Sequence, residues 1–281
     1  MRFAVLQLTG CAGCEVSLLN AGEELDLAKL AYMPLVVTAH DVPGVDVLLV
    51  TGGIRTDEDL LKLRESASRV KKIIAVGTCA ISGGVAGLGD RHDIRELFLA
   101  NTHQGRVPRM LPKCRPIDTE VKVDNYLPGC PPVPSLFVQL LNEPESLKST
   151  SIVCKECGRR KPKDVRPTTL AHEIHKDADP ELCLVKQGQL CVGTSTRNGC
   201  GAICPRAGFP CVGCRGPSNN LIEKDANAWF SSLIKVFAHM TDIDSQEISE
   251  ALKSPHLALF LFQFSDYSDT ELESRPKEKV L

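Results

Sequence analysis

The chain has 281 residues, with 33 Lys+Arg against 35 Asp+Glu and a formal net charge of −2, so it carries no global electrostatic footprint for nucleic acid or an anionic membrane. A hydrophobic content of 43% excludes disorder of the whole chain. Thirteen cysteines are too sparse for a small secreted disulfide scaffold and too many for chance burial.

From the start, MRFAVLQLTG lacks a basic segment followed by an apolar one, and it has no twin-arginine pair. A cytoplasmic, reducing compartment is the expectation. There cysteines serve as metal ligands or redox groups more often than as structural bridges. Residues 3–8 (FAVLQL), 35–37 (LVV), 45–50 (VDVLLV) and 73–76 (IIAV) are short apolar runs. Runs of this kind suit strands buried on both faces of a parallel sheet. Between the last two, Thr56 with Asp59 predicts a capping box, and Leu60, Leu63, Ala67 and Val70 follow at helical spacing. Residues 121–126 (VKVDNY) are a further strand-like run. The alternation predicts a doubly wound α/β domain of flavodoxin type over residues 1–148. A polar seam at residues 142–151, containing Pro144, ends it.

Residues 149–281 differ. From Cys154 to Pro217 the chain is rich in Gly, Pro and Cys, with little periodicity, so it needs organising by what its cysteines hold. Phe230, Leu233, Ile234 and Phe237 then mark an amphipathic helix, and residues 268–281 form a polar tail. The apolar run at residues 257–264 is too short to span a bilayer.

In the first domain, Cys11 and Cys14 follow the first strand, Cys79 the fourth, and Cys130 a later one. All lie past carboxyl ends of strands, where open α/β sheets bind ligands. Four thiolates converging there can hold a [4Fe–4S] cluster. In the second domain, Cys200, Cys204, Cys211 and Cys214 form one compact set, and Cys154, Cys157, Cys183 and Cys191 a second. Two further [4Fe–4S] clusters or two four-cysteine zinc sites both fit this spacing. Cys114 fits no set and reads as a free thiol in a loop. The basic run at residues 155–166 is either a solvated face or a surface steering an acidic electron carrier. His92, His172 and His175 read as surface or core histidines. No Ser–His–Asp set, P-loop or full dinucleotide fingerprint is present.

The order CAGC (11–14), GTCAISGGV (77–85), PGCPP (128–132) and PCVGCRGP (210–217) resembles the small subunit of [NiFe] hydrogenases. The resemblance implies a flavodoxin-like domain followed by an irregular, ferredoxin-like domain organised by iron–sulfur clusters. It makes Cys11, Cys14, Cys79 and Cys130 the proximal ligands. Cys200, Cys211 and Cys214 match the medial set, and Cys157, Cys183 and Cys191 the distal one. It further implies an obligate large-subunit partner carrying nickel and iron, and a second electron-accepting subunit or carrier near the distal cluster. The chain departs from periplasmic relatives in two places. Cys154 stands where they have His, and Cys204 where they commonly have Pro. All-cysteine ligation by three [4Fe–4S] clusters, and a cytoplasmic, group 3-type subunit like those of methanogens, are therefore expected. Glu15 directly follows Cys14, unlike the family's usual Glu spacing, and receives no role. Related complex I and energy-converting subunits have one cluster here, and the complex I version has adjacent cysteines rather than Cys11-x2-Cys14.

Overall fold

The structure, a computed structural model, describes residues 1–91, 108–143, 151–171, 178–218 and 226–252. His92, His172, His175, residues 144–150 of the seam, the run at 257–264 and the polar tail lie outside them. Contacts divide the chain into two compact units, Met1–Leu147 and Lys148–Val280.

The first unit is built on a five-stranded parallel sheet. Its strands are β1 (Phe3–Gln7), β2 (Leu30–Tyr32), β3 (Val45–Thr51), β5 (Val70–Val76) and β7 (Asn125–Leu127), in the order β2-β1-β3-β5-β7. That is the flavodoxin-like order, with the first strand inside the second. Alternation within β3 explains why both sheet faces are covered. Leu48 and Val50 pack with Leu6 and Leu63 on one side, and Val47 and Leu49 pack with Val5 and Phe137 on the other. Each such side chain, fully buried, contributes about 1.5–3 kcal/mol. Helices α1 (Gly13–Leu19), α2 (Asp57–Ala67), α3 (Gly77–Ser82) and α4 (Pro134–Asn142) complete the unit. Thr56 caps α2 in the expected capping box with Asp59. The register aligns Gln7 with Thr51, Thr51 with Val76, and Val76 with Leu127. Four strands therefore end level, and the loops that follow them share one edge.

Four sequence expectations need correction. Residues 35–37 form a turn, in which the amides of Val36 and Val37 both donate to the Met33 carbonyl. Pro34 offers no N–H to a ladder, so the paired strand lies earlier, at β2. Val70 opens β5 instead of closing α2. The strand expected over 121–126 begins only at Asn125, because the amides of Glu120 and Val121 are drawn to the Ile117 carbonyl. An antiparallel pair, β4 (Ile54–Thr56) with β6 (Met110–Arg115), was not foreseen. Cys114 lies in β6, buried, and not in a loop.

The second unit has short helices α5 (Val153–Cys157) and α6 (Ile203–Arg206), then α7 (Ala226–Met240) and α8 (Ser245–Leu252). Among the described residues its β-structure is confined to isolated bridges. Its core joins Leu233 and Phe237 of α7 with Leu184, Val185, Val192, Ile248 and Leu252. The thiols of Cys183, Cys191 and Cys211 belong to the same core. Arg166 closes the end of α7, donating to the carbonyls of Ala238, His239 and Thr241 and pairing with Asp242.

Candidate metal centres

The first group of thiols stands on the shared edge of the parallel sheet. Cys11 follows β1, and Ala12, left-handed at φ 60°, turns the chain into α1 so that Cys14 falls in its first turn. Gly77, at φ +81°, turns β5 into α3, which carries Cys79. A Cβ on Gly77 would stand 2.5 Å from Cys14 Sγ, so only glycine lets the α3 backbone pass that sulfur. Cys130 follows β7 and forms a cis peptide with Pro131. Side chains stitch these loops together. The Ser17 hydroxyl on α1 donates to the Pro132 carbonyl, and the Thr78 amide (3.0 Å) and hydroxyl (3.1 Å) both reach the Gly129 carbonyl.

The electrostatics of this group are those of crowded anions. Burial pushes the Cys14 thiol far above its usual value, and Glu15, Cys79, Cys130 and Cys11 push it further in that order. Burial also raises Cys79, while the amides of Ala86 and Val85 donate to its sulfur. Glu15 is buried and accepts from the Thr51 hydroxyl at the end of β3. Four such thiols ionise together only around a cationic body, which is what an iron–sulfur core supplies. The donor set therefore fits a cluster.

In the second unit, Cys154, Cys157, Cys183 and Cys191 line one cavity, together with Lys161, Thr194 and apolar Val153, Leu184 and Val185. Burial raises Cys154 to about 11, and Lys161 opposes the shift. Cys191 is raised to about 12 by burial, while amides of Gly193 and Cys211 donate to its sulfur, the latter at 3.2 Å. Thr194 Oγ1 is buried without a hydrogen-bond partner. A cavity lined by four thiols and two basic side chains, with an orphaned hydroxyl among its lining residues, fits an anionic, sulfur-rich group.

The remaining four thiols fall in two pairs. Cys200 acts on Cys204 at α6, and Cys214 acts on Cys211. Arg215 joins the pairs, since its buried guanidinium feels both Cys200 and Cys214. Its Nε donates to the Asn198 carbonyl, and it lies so close to Gly199 that a Cβ there would meet Nη2 at 2.9 Å. Cys204 is exposed and Cys211 buried. The Cys211 amide that reaches Cys191 ties this group to the preceding one.

Cys114 lies beside the first group, on β6: its Sγ is 2.6 Å from where a Cβ on Gly53 would lie, a point that is also 3.3 Å from the Cys79 carbonyl. Burial raises its thiol to about 12. The basic run is largely exposed, at Lys155, Arg160, Lys161, Lys163 and Arg166, and its arginines also bind within the unit. Arg159 donates to the carbonyls of Pro205, Asp179 and Leu182, Arg160 pairs with Asp179 and Glu181, and Arg166 caps α7. Sequence reasoning missed Ser17, Thr78, Thr194 and Arg215. Gly77 is legible in the sequence as a glycine flanking a cysteine site, whereas nothing in the sequence marks Thr194.

The family described as NADH ubiquinone oxidoreductase, 20 Kd subunit, matches residues 11–143. An F420-non-reducing hydrogenase vhu subunit of Methanocaldococcus jannaschii is 38% identical over 248 residues, covering 81% of this chain and 86% of that protein. Its counterpart among the vhu subunits of Methanococcus voltae is 36% identical over 281 residues, covering 92% and 93% respectively. Sulfhydrogenase 2 subunit delta of Pyrococcus furiosus is 31% identical, covering 78% of this chain and 87% of its own. Among the described residues no helix is long and apolar enough to cross a membrane.

Proposed function

The chain belongs to a family of F420-non-reducing hydrogenase subunits, the small subunits of methanogen hydrogenases, and from that membership we propose that it is the electron relay of a [NiFe] hydrogenase. As a small subunit it belongs to an oxidoreductase complex and has a large-subunit partner. The proposed relay consists of three [4Fe–4S] clusters. Cys11, Cys14, Cys79 and Cys130 hold the proximal one, Cys200, Cys204, Cys211 and Cys214 the medial one, and Cys154, Cys157, Cys183 and Cys191 the distal one. The observation that carries this reading is the grouping of twelve thiols at one sheet edge, along one cavity and in two pairs, Cys200 with Cys204 and Cys211 with Cys214, bridged by buried Arg215 through Cys200 and Cys214.

When bound, such clusters supply one-electron redox chemistry at potentials set by ligands, hydrogen bonds and burial. The chain's own residues fix those terms. Val85 and Ala86 amides serve Cys79, Gly193 and Cys211 amides serve Cys191, and Arg215 places positive charge beside Cys200 and Cys214. The apolar walls around Cys154 and Cys191 exclude water from the distal group. Thiolate ligation throughout favours low potentials, and so a low-potential acceptor subunit or carrier near the distal group. The relatives are named as F420-non-reducing, which favours an acceptor other than F420. We place the complex in the cytoplasm.

Division of labour tests the reading. Separated from its partner and free of nickel, the chain should reduce no viologen with H2, and should recover that activity only when the large subunit is restored. Viologen reduction by the nickel-free chain would contradict the proposal.

A further inference from the structure

We propose that the Thr194 hydroxyl donates a hydrogen bond to a sulfur of the group held by Cys154, Cys157, Cys183 and Cys191, and thereby raises the potential of that group; this rests on the cluster reading above. Thr194 ends a short 3-10 turn, Val192–Thr194, whose Gly193 amide already serves Cys191. Its Oγ1 is shut away from solvent, yet it has no partner in the protein. Neighbouring buried hydroxyls behave differently. Thr196 Oγ1 donates back to the Val192 carbonyl at 2.8 Å, and Thr241 Oγ1 to the Phe237 carbonyl at 2.8 Å. A buried hydroxyl left unbonded is costly, and each exception calls for a specific acceptor.

The acceptor's chemistry follows from the walls of the cavity. Apart from Thr194 it presents thiols, apolar side chains and the basic Arg159 and Lys161. Neither cation can accept a hydrogen bond, and Arg159 is committed to backbone carbonyls. No cysteinyl sulfur of the protein serves the hydroxyl either, which leaves sulfide of the bound cluster as the acceptor. A hydrogen bond to sulfur favours the more negative, reduced state over the oxidised one. Lys161 acts on Cys154 in the same sense, but its exposed ammonium is screened by salt, whereas the buried hydroxyl is not.

The test is an EPR-monitored redox titration of the complete hydrogenase carrying Thr194→Val, which keeps the shape and removes the hydroxyl. The distal midpoint should fall. At the wild-type midpoint the reduced-to-oxidised ratio should drop on the order of tenfold, equivalent to about 59 mV for a one-electron couple. Thr194→Ala should fall equally, Thr194→Ser should stay near wild type, and the shift should persist in high salt. Iron content should be unchanged in all three. A wild-type midpoint in the valine and alanine variants at full iron content would overturn the proposal, as would a serine variant that falls as far as valine. Failure of the underlying cluster reading shows separately, as wild-type protein that lacks the distal iron altogether.

Discussion

In the first unit β1, β3 and β5 bury Val5, Leu48, Leu49 and Ala75 between helices, while Cys11 and Cys130 stand on loops and Cys14 and Cys79 in α1 and α3, none of the four among the buried core residues. In the second unit the thiols of Cys183, Cys191 and Cys211 are themselves core, with 7%, 7% and 8% exposure, beside Leu184, Val192 and Phe237. The contrast assigns different roles to bound metal. A sheet that buries its own hydrocarbon survives the loss of a ligand at its edge. A core that counts thiols among its members, with few hydrogen-bonded strands, depends on whatever those thiols hold.

The sharpest way to break this comparison is to remove iron and sulfide with a chelator under reducing conditions. The second unit should lose its protection from proteolysis across residues 151–252, while the parallel sheet persists. The magnitude is that of structural metal sites, on the order of 10–16 kcal/mol in small zinc domains. Equal protection of both units after stripping would remove the distinction. The stripped protein should also be pH-sensitive. Burial raises Cys154 and Cys191 from 9.0 to about 11 and about 12. Thiols so raised support the fold below the unfolded pKa and withdraw that support as pH rises, so the stripped second unit should weaken further between pH 9 and 12.

Gly77→Ala is the converse perturbation. Its Cβ would collide with Cys14 Sγ at a φ of +81°. Iron should fall from about 12 to about 8 atoms per chain with the second unit's EPR signals intact. Loss of all iron would show that the two units assemble as one.

Cys204→Ser makes a smaller change inside the second unit. Cys204 is exposed on α6 beside Cys200, so loss of its thiolate should cost about one iron and produce a [3Fe–4S] signal in the oxidised state. H2 oxidation with a high-potential dye should continue, and H2 evolution from a low-potential donor should fail. An unchanged spectrum would remove Cys204 from the ligand set.

Thr56→Ala, at the other extreme, touches only the first unit's hydrocarbon frame. Loss of the α2 cap should cost about 0.5–2 kcal/mol in chemical denaturation and leave iron content unchanged.

Legibility follows the same division. The first unit's central strands, its order and the Thr56–Asp59 cap were readable because each rests on local spacing or on apolar runs. Leu35 and Val36 misled because apolar residues next to Pro34 can close an exposed turn as readily as a strand; they are 59% and 51% exposed. The antiparallel β4–β6 pair escaped because its register joins Ile54 to Arg115, far apart in sequence. Among the candidate ligands, the sheet-edge cysteines could be located from the strands that precede them. The second unit's sets rested on spacing and on the family resemblance, since Cys183 and Cys191 are brought to Cys154 by irregular backbone that carries no period. The Ser17, Thr78 and Arg159 stitches and the orphaned Thr194 hydroxyl are products of tertiary placement and leave no mark on a sequence.

Metal and sulfide content of the anaerobically purified chain with its partner subunits tests the central claim most directly, after iron held by the large subunit is subtracted. Three [4Fe–4S] clusters require about 12 iron and about 12 acid-labile sulfide per chain, with no zinc, and the same values in Cys114→Ser. About four iron with two zinc atoms would leave only the sheet-edge cluster and contradict the relay.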